Sequence, residues 1–541
     1  MAETFDRRIT RILADLKIDF PLKTLQKVCL EKLANRLDVF AVLPTGYGKS
    51  LLYAILPKLM LEVEDNLQCA IVLVISPLVS LMKDQVANLK KYSVESIFLG
   101  EEHDRDTLEH IQEGKFPIVL MSPEAYFSGS WRGLLTSPPY QKFVQSIVID
   151  ECHCAEQWGD QFRTDFSRIG ELRSIFPKAN LLALTATATP KTRKHIAEIL
   201  CMRNYELVIT SCDRPNIMHV SIRAPNTVQD TFYWLCSKIQ EQKHETEKCI
   251  IYCRNIKTCG ILFLYLKENL GAENSYKGTP SARNCYYAMY HHSTSQKNKK
   301  IIIETFPKQD SAIRVIIATT AFGMGVNIPD VRVVIHWGAP HTFQSYMQQS
   351  GRAGRDGLQS LSVVYFHPTD ISKTATDENC KTFCTTQSCR RKYLVQHFTP
   401  EDTTCVADLH TCCDICKSSC SCSACPDLHP SCLIIEDNDM VQALTESESR
   451  SFRTVTHTQR LSIKRKIEEL RKKMISDLNI NTSILNIGLL TGLSEKVIED
   501  IVSNVHYIFA TEDILTEHVY DEELAQNILN IVEDVLGVEE K

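Results

Sequence analysis

AVLPTGYGKSLLYAIL, residues 41–56, is the stretch whose reading decides the fold. A β-rich apolar run enters it, a turn carrying Gly46 and Gly48 interrupts it, and an apolar segment of helical period leaves it. Strand, glycine turn and helix in that order let the free N–H groups of a helix start hold phosphate. On this reading Thr45, Gly46 and Gly48 shape the loop, Lys49 reaches the outer phosphates of a nucleotide, and the Ser50 hydroxyl ligates Mg²⁺. Leu43 stands where the strict G-x-x-x-x-G-K-[ST] pattern has its first glycine, so taken alone the match leaves open a chance G-K-S at a helix cap.

The next signal lies about 100 residues downstream. In IVIDECHC, Asp150 and Glu151 leave the end of an apolar run. Asp150 suits Mg²⁺ and Glu151 suits polarisation of an attacking water. Two acids after a strand are on their own commonly a solvated turn, and it is the pairing with the phosphate loop that favours chemistry. Further on, QQSGRAGRDG places Arg352 and Arg355 three apart, on one face if a helix starts there. They would serve as arginine fingers supplied within the chain, the alternative being a solvated basic turn.

Around these motifs the chain alternates. VFAVLP, AIVLVISP, SIVIDE and LLALTAT are near-continuous apolar runs separated by longer helical-period segments, the pattern of buried parallel strands. It restarts after CDRPNI (212–217) with KCIIYC, RVIIAT and VRVVIHWG. The expectation is two successive α/β domains, over 1–206 and 207–375, then a cysteine-rich segment, 376–432, and a helical region, 433–541. A length of 541 residues fits several cores rather than one. Hydrophobic content of 44% and charged content of 23% are those of a globular chain, and the net charge of −6 confines any nucleic-acid contact to a local groove. No apolar run approaches the roughly 20 residues of a membrane span, and charges break up the N-terminal segment, so a cytosolic or nuclear setting with reduced or metal-bound cysteines is expected.

LPTGYGKS and DECH, together with SPLVSLMKDQV (76–86), ALTATATP (183–190), ATTAFGMGVNIPDVRVVIHWGAP (318–340) and YMQQSGRAGRDG (346–357), resemble superfamily 2 helicases, and in their details the RecQ family of DNA helicases. The resemblance covers about residues 10–420. It implies two tandem RecA-like P-loop domains, ATP and Mg²⁺ as ligands, single-stranded and duplex DNA as partners, and 3′ to 5′ unwinding in repair, recombination or replication. Family loops of the form x-P-T-G-x-G-K-S also tolerate a residue such as Leu43. In LKTLQK, Gln26 would read adenine with Lys23 beside it, Leu22 and Lys23 standing where the family usually has Phe and Arg. His153 would couple the ATP site to Gln348.

CAEQWGDQFRTDF (154–166) sets Trp158, Phe162 and Arg163 in a polar segment. Such aromatics can simply fold onto a core. The resemblance makes this the loop that senses single-stranded DNA, by stacking worth about 1–3 kcal/mol per base.

Residues 380–432 hold half of the 22 cysteines. Cys389, Cys405, Cys413 and Cys416 would complete a closed tetrahedral Zn²⁺ site, and the family's CRR and CD-x-C landmarks favour this quartet. Cys412, Cys420, Cys422 and Cys425 are alternative ligands or a second site. Beyond residue 432, no strand-separating winged helix is recognisable; LLTGLSEKVIEDIV reads as a helical hairpin in preference to a helix-turn-helix, and KRKIEELRKK as a solvated basic face or a phosphate contact. Three functions compete: a DNA helicase, a DNA-binding scaffold that keeps the fold without productive unwinding, and a DEAD-box RNA helicase. The last predicts a different adenine-reading segment and no zinc cluster.

Overall fold

A computed structural model of the chain describes residues 4–537 apart from 65, 78, 101–102, 128–130, 155–167, 226, 323–327, 373–375, 401–406, 423–452, 454, 478–490, 494, 506–507 and 516–521. The apolar runs become two parallel sheets. The first holds β1 (Val39–Val42), β2 (Ile71–Ile75), β3 (Ser96–Leu99), β4 (Ile118–Met121), β5 (Val144–Ile149), β6 (Asn180–Thr185) and β7 (Glu206–Ile209), in the order β3-β4-β2-β5-β6-β1-β7. The second holds β8 (Ile217–Arg223), β9 (Lys248–Cys253), β10 (Tyr287–Tyr290), β11 (Val315–Ala318), β12 (Val331–Trp337) and β13 (Ser360–Phe366), in the order β10-β11-β9-β12-β13-β8. Strands β1, β2, β4 and β6 are buried at every position, because helices cover both faces and solvent reaches neither. That is why these strands carry no alternation in the sequence.

Register then places the chemistry. Val42 of β1 pairs with Thr185 of β6, and Ala183 of β6 pairs with Ile149 of β5. All strands are parallel, so the loops after β1, β5 and β6 leave the same edge of the sheet as neighbours. Carboxyl ends of parallel strands are where open α/β sheets bind ligands.

The cysteine-rich segment packs against the second sheet: His219 of β8 bridges to Cys413, and the Ser221 N–H donates to Asp414 Oδ2 at 3.3 Å. The contacts divide the chain into two compact units, Met1–His429 and Pro430–Lys541. In the second unit the helices His457–Asp477, Glu495–Asn504 and Glu522–Leu536 share a core that includes Ile463, Ile467, Ile498, Ile501, Val505, Leu524, Ile528 and Val532. These residues recur every three or four positions, one stripe per helix. Among the described residues no helix is long and apolar enough to cross a membrane.

Candidate nucleotide site and cysteine cluster

Leu43 explains its own departure from the glycine pattern. Its N–H donates to Thr185 O at 2.9 Å, extending the β1–β6 ladder, and its side chain is fully buried in the core beneath the helix Lys49–Val63. The side chain points away from the loop's working face, so glycine is not required. Gly46 (φ +84°) and Gly48 (φ +91°) do need their freedom, and at Gly48 a Cβ would lie 2.5 Å from Gln26 Nε2. Gly48 caps the helix Lys49–Val63, so the loop runs directly into a helix N-terminus, the kind of place that binds anions. Lys49 Nζ donates to Leu43 O at 3.3 Å, which holds it beneath the loop.

Gln26 is tied directly to this loop. Its Oε1 accepts the Lys23 N–H at 2.8 Å, and its Nε2 donates to the carbonyls of Tyr47 and Gly48 at 3.0 and 3.1 Å. Lys23 Nζ lies 4.4 Å from the centre of the Tyr47 ring, a cation–π contact that gives the bulky Tyr47 a partner. A cavity of about 390 Å³ opens beside these residues, lined also by Phe20, Gln85 and Tyr92. Sequence reasoning missed those three. Leu22 is buried, whereas Phe20, two residues earlier and 43% exposed, brings an aromatic face to the cavity.

Asp150 and Glu151 follow β5 on the adjoining loop. Gln85 Nε2 donates to Asp150 Oδ2 at 2.7 Å, and the Glu151 N–H donates to Asp150 Oδ1 at 3.0 Å. Burial and the neighbouring Glu151 charge push Asp150 up to about 6, with Lys49 and Gln85 opposing them. Burial works against ionised Glu151 as well, but Lys49, His153, Arg352 and Arg355 together hold its carboxyl below the usual range. Glu151 therefore stays charged, with φ +49° turning it out of the strand.

His153 is buried, and that burial depresses its pKa although Glu151 opposes the shift, so the ring is neutral. Its Nε2 lies 2.8 Å from Gln348 Nε2, which must donate; the ring proton is thereby assigned to Nδ1, 3.1 Å from Thr185 Oγ1 and 3.4 Å from Glu151 Oε2. Gln348 Nε2 also donates to Thr187 Oγ1 at 3.3 Å, and Gln344 Nε2 to Thr187 O at 2.9 Å. Gln344 and Gln348 lie one turn apart on the helix Phe343–Ser350 after β12, while His153 and Thr187 follow strands of the first sheet. These hydrogen bonds join the two lobes across the nucleotide site.

Arg352 and Arg355 lie in turns just past the end of Phe343–Ser350, which Gly351 caps, so the helix start on which their shared face was conditional is absent. Arg214 donates to the carbonyls of Gly351, Ala353 and Gly354, and Asn216 to those of Gly354 and Leu358, so turn geometry orients the pair. Burial pushes the Arg355 guanidinium down to about 9, with Arg352 adding to the shift, which leaves it charged at neutral pH. Trp158, Phe162 and Arg163 lie outside the described residues.

Cys389, Cys412, Cys413 and Cys416 bring their sulfurs within 4.8 Å of one another. Four ligands at about 2.3 Å around tetrahedral Zn²⁺ stand about 3.8 Å apart, and Cys389 Sγ is 3.6 Å from Cys412 Sγ, so the set fits that ion. Hydrogen bonds from the Cys412 and Cys413 thiols hold the Cys389 thiol far below its usual pKa. Cys389 and Cys413 each cap a helix, and their sulfurs accept N–H bonds from Lys392 and Cys416, both at 3.4 Å. The expected ligand Cys405 lies outside the described residues, and Cys412 completes the described quartet. Beside it, Arg391, buried completely, donates to Asp213 Oδ1 at 2.5 Å, Arg214 O at 2.9 Å, Cys412 O at 3.3 Å and Ile217 O. That guanidinium fastens the cysteine segment to the second lobe.

Comparison with known proteins agrees with this arrangement. The DEAD/DEAH box helicase family matches residues 23–196, and the helicase conserved C-terminal domain matches residues 230–357. The ATP-dependent DNA helicase RecQ of Haemophilus influenzae is 32% identical over 394 residues, covering 69% of this chain and 58% of its own length. The bifunctional 3′-5′ exonuclease/ATP-dependent helicase WRN of Mus musculus is 31% identical over 390 residues, 69% of this chain and 26% of the mouse protein. A putative ATP-dependent RNA helicase, R290, of Acanthamoeba polyphaga mimivirus is 30% identical over 411 residues, 72% of this chain and 68% of the viral one. The chain belongs to the RecQ family of superfamily 2 helicases. It spans 58% of the length of the bacterial RecQ and 26% of WRN. The fold is also that of Mycobacterium smegmatis helicase Lhr bound to ssDNA and AMP-PNP: TM-score 0.50, 17% identity, 70% of this RecQ-family chain and 49% of that one. Its two parallel sheets are therefore the tandem RecA-like domains of the superfamily, and ATP use follows from the helicase domains.

Proposed function

We propose that this chain is an ATP-dependent DNA helicase that moves 3′ to 5′ along single-stranded DNA and separates duplex ahead of it, in repair, recombination or replication. The observation that carries the reading is the hydrogen-bonded bridge from Gln348 to His153 and Thr187, which ties the lobe bearing Arg352 and Arg355 to the loop bearing Glu151. The domain division proposed is 1–206 and 207–375 for the two lobes, 376–432 for the zinc subdomain and 433–541 for the helical region. Gln26 and Lys23 hold the base, with Phe20 offering its ring. Thr45, Gly46, Gly48 and Lys49 would cradle the phosphates, Ser50 and Asp150 would hold Mg²⁺, and Arg352 and Arg355 would face the γ-phosphate. The metal would neutralise charge on the phosphates and fix their position.

The step follows from these residues. Glu151, ionised and beside neutral His153, orients and polarises the attacking water, and the two arginines balance charge gathering on the transferred phosphoryl group. Cleavage removes the group the arginines grip, the lobes part, and a bound strand is handed on. Trp158, Phe162 and Arg163 would contact that strand through stacking and phosphate contacts that tolerate any sequence. A closed zinc site, with Cys405 or Cys412 beside Cys389, Cys413 and Cys416, supports the subdomain. The setting proposed is the nucleus in a eukaryote and the cytoplasm otherwise.

The test is unwinding of a duplex with one single-stranded tail. The reading predicts ATP-dependent separation of the 3′-tailed substrate and little of the 5′-tailed one. ATP hydrolysis without separation of either substrate would leave a DNA-stimulated ATPase or scaffold.

A further inference from the structure

A second cluster of soft ligands lies outside the thiolate quartet. His410, in the short helix Leu409–Cys412, faces Cys420 and Cys422, which follow the helix Asp414–Ser418. His410 Nδ1 is 3.5 Å from Cys422 Sγ and 4.0 Å from Cys420 Sγ, and the two sulfurs are 3.3 Å apart. Tetrahedral Zn²⁺ with bonds of about 2.3 Å to sulfur and about 2.05 Å to nitrogen sets ligand separations of about 3.8 Å for S···S and about 3.6 Å for S···N. All three distances fall within about 0.5 Å of those values. The C-x-C spacing lets two neighbouring thiolates chelate one ion, and the histidine closes the set from ten residues upstream.

We propose that His410, Cys420 and Cys422 form a second site for a borderline-soft divalent cation, Zn²⁺ above all, independent of the Cys389, Cys412, Cys413 and Cys416 site. Two thiolates and an imidazole suit zinc, whereas Mg²⁺ and Ca²⁺ want oxygen. The three ligands among the described residues leave a coordination position for water or a further donor, and Cys422 is exposed, so this ion exchanges with solvent far faster than one enclosed by four buried or half-buried sulfurs. Binding clips residues 420–422 back onto the helix that carries His410 and closes the cysteine segment on itself.

The experiment is metal counting on the full chain, equilibrated with Zn²⁺ under reducing conditions, desalted and measured by inductively coupled plasma mass spectrometry. The wild type should carry two zinc ions per chain, and His410→Ala and Cys422→Ser one each. Cys416→Ser should also carry one, lost from the other site. Titrating metal-free protein with Co²⁺ gives a second readout: the ion retained by Cys416→Ser should show about half the thiolate charge-transfer absorption of the ion retained by Cys422→Ser, two sulfurs against four. A mild chelator should strip one ion from the wild type at least 10-fold faster than the other. One ion per chain, unchanged in Cys422→Ser and lost in Cys416→Ser, would overturn the second site and leave the first. One ion lost only in Cys422→Ser would remove the quartet and keep this site. Loss of both ions in His410→Ala, or an intact mass 2 Da low from a Cys420–Cys422 disulfide under these conditions, would also overturn it.

Discussion

Replacing Gln348 with alanine isolates the link between the lobes. The side chain donates at 2.8 Å to His153 Nε2 and at 3.3 Å to Thr187 Oγ1. His153 is only 1% exposed, so water cannot substitute, and an orphaned buried acceptor costs about 1–3 kcal/mol. If that energy holds the lobes in the closed, hydrolytic arrangement, the closed population falls about 5- to 150-fold, at 1.4 kcal/mol per decade. The assay is steady-state ATPase with saturating single-stranded DNA, beside nucleotide binding followed with a fluorescent ATP analogue. kcat should fall by that factor while nucleotide affinity changes less than about 2-fold, since Gln348 does not line the cavity beside Gln26 and Lys23. A double-mutant cycle completes the argument: His153→Ala/Gln348→Ala should be no slower than the worse single variant, with a coupling energy of about 1–3 kcal/mol. Effects that simply multiply would refute a shared bridge, as would a Gln348→Ala enzyme with full kcat.

Three further outcomes follow from individual contacts. Gly48→Ala should weaken nucleotide binding at least 10-fold and more than Gly46→Ala, because both bear positive-φ strain but only the Gly48 Cβ meets Gln26, at 2.5 Å; equilibrium binding of the fluorescent analogue checks it, and equal losses would refute the contact. Arg391→Met should leave Asp213 buried and unpaired, costing about 3–5 kcal/mol and lowering a calorimetric transition of the full chain by roughly 6–20 °C; a shift below about 2 °C would contradict the fastening role. His336 is depressed by burial to about 4, below its unfolded value of 6.5, so its contribution is complete above pH 6.5 and fades as pH falls toward 4. The chain should therefore lose about 2 kcal/mol between pH 7 and pH 5 through this group, and urea midpoints for His336→Phe should lack that share of the acid sensitivity.

Much of this was legible in the sequence because parallel strands covered on both faces leave uninterrupted apolar runs, and because nucleotide chemistry needs particular groups immediately after them. Asp150 and Glu151 sit at the end of a strand, and Lys49 at the start of the helix after the loop, places that the runs announce. What escaped reading depends on neighbours distant in sequence. Phe20 and Tyr92 reach the cavity beside Gln26 and Lys23 from separate segments, and Gln85 meets Asp150 across 65 positions. The arginine spacing left a helix start and a basic turn both open, and what decides for the turn is Arg214 and Asn216, over 130 residues earlier. Cysteine spacing did not bring Cys412 forward, since a sulfur's neighbours are set by how the segment folds back on itself. Arg391 entered the sequence reading only within the CRR landmark, and its ties to Asp213, Arg214 and Ile217 appear only in the packing.

The central claim is that the two lobes form a DNA-driven ATP motor, and steady-state ATPase of the full chain with and without single-stranded DNA tests it most directly, with Glu151→Gln measured in parallel. The account predicts strong stimulation by DNA in the wild type and its loss in Glu151→Gln, which should still bind nucleotide. Folded, zinc-loaded protein whose turnover ignores DNA, or a Glu151→Gln chain that hydrolyses as fast as the wild type, would contradict it.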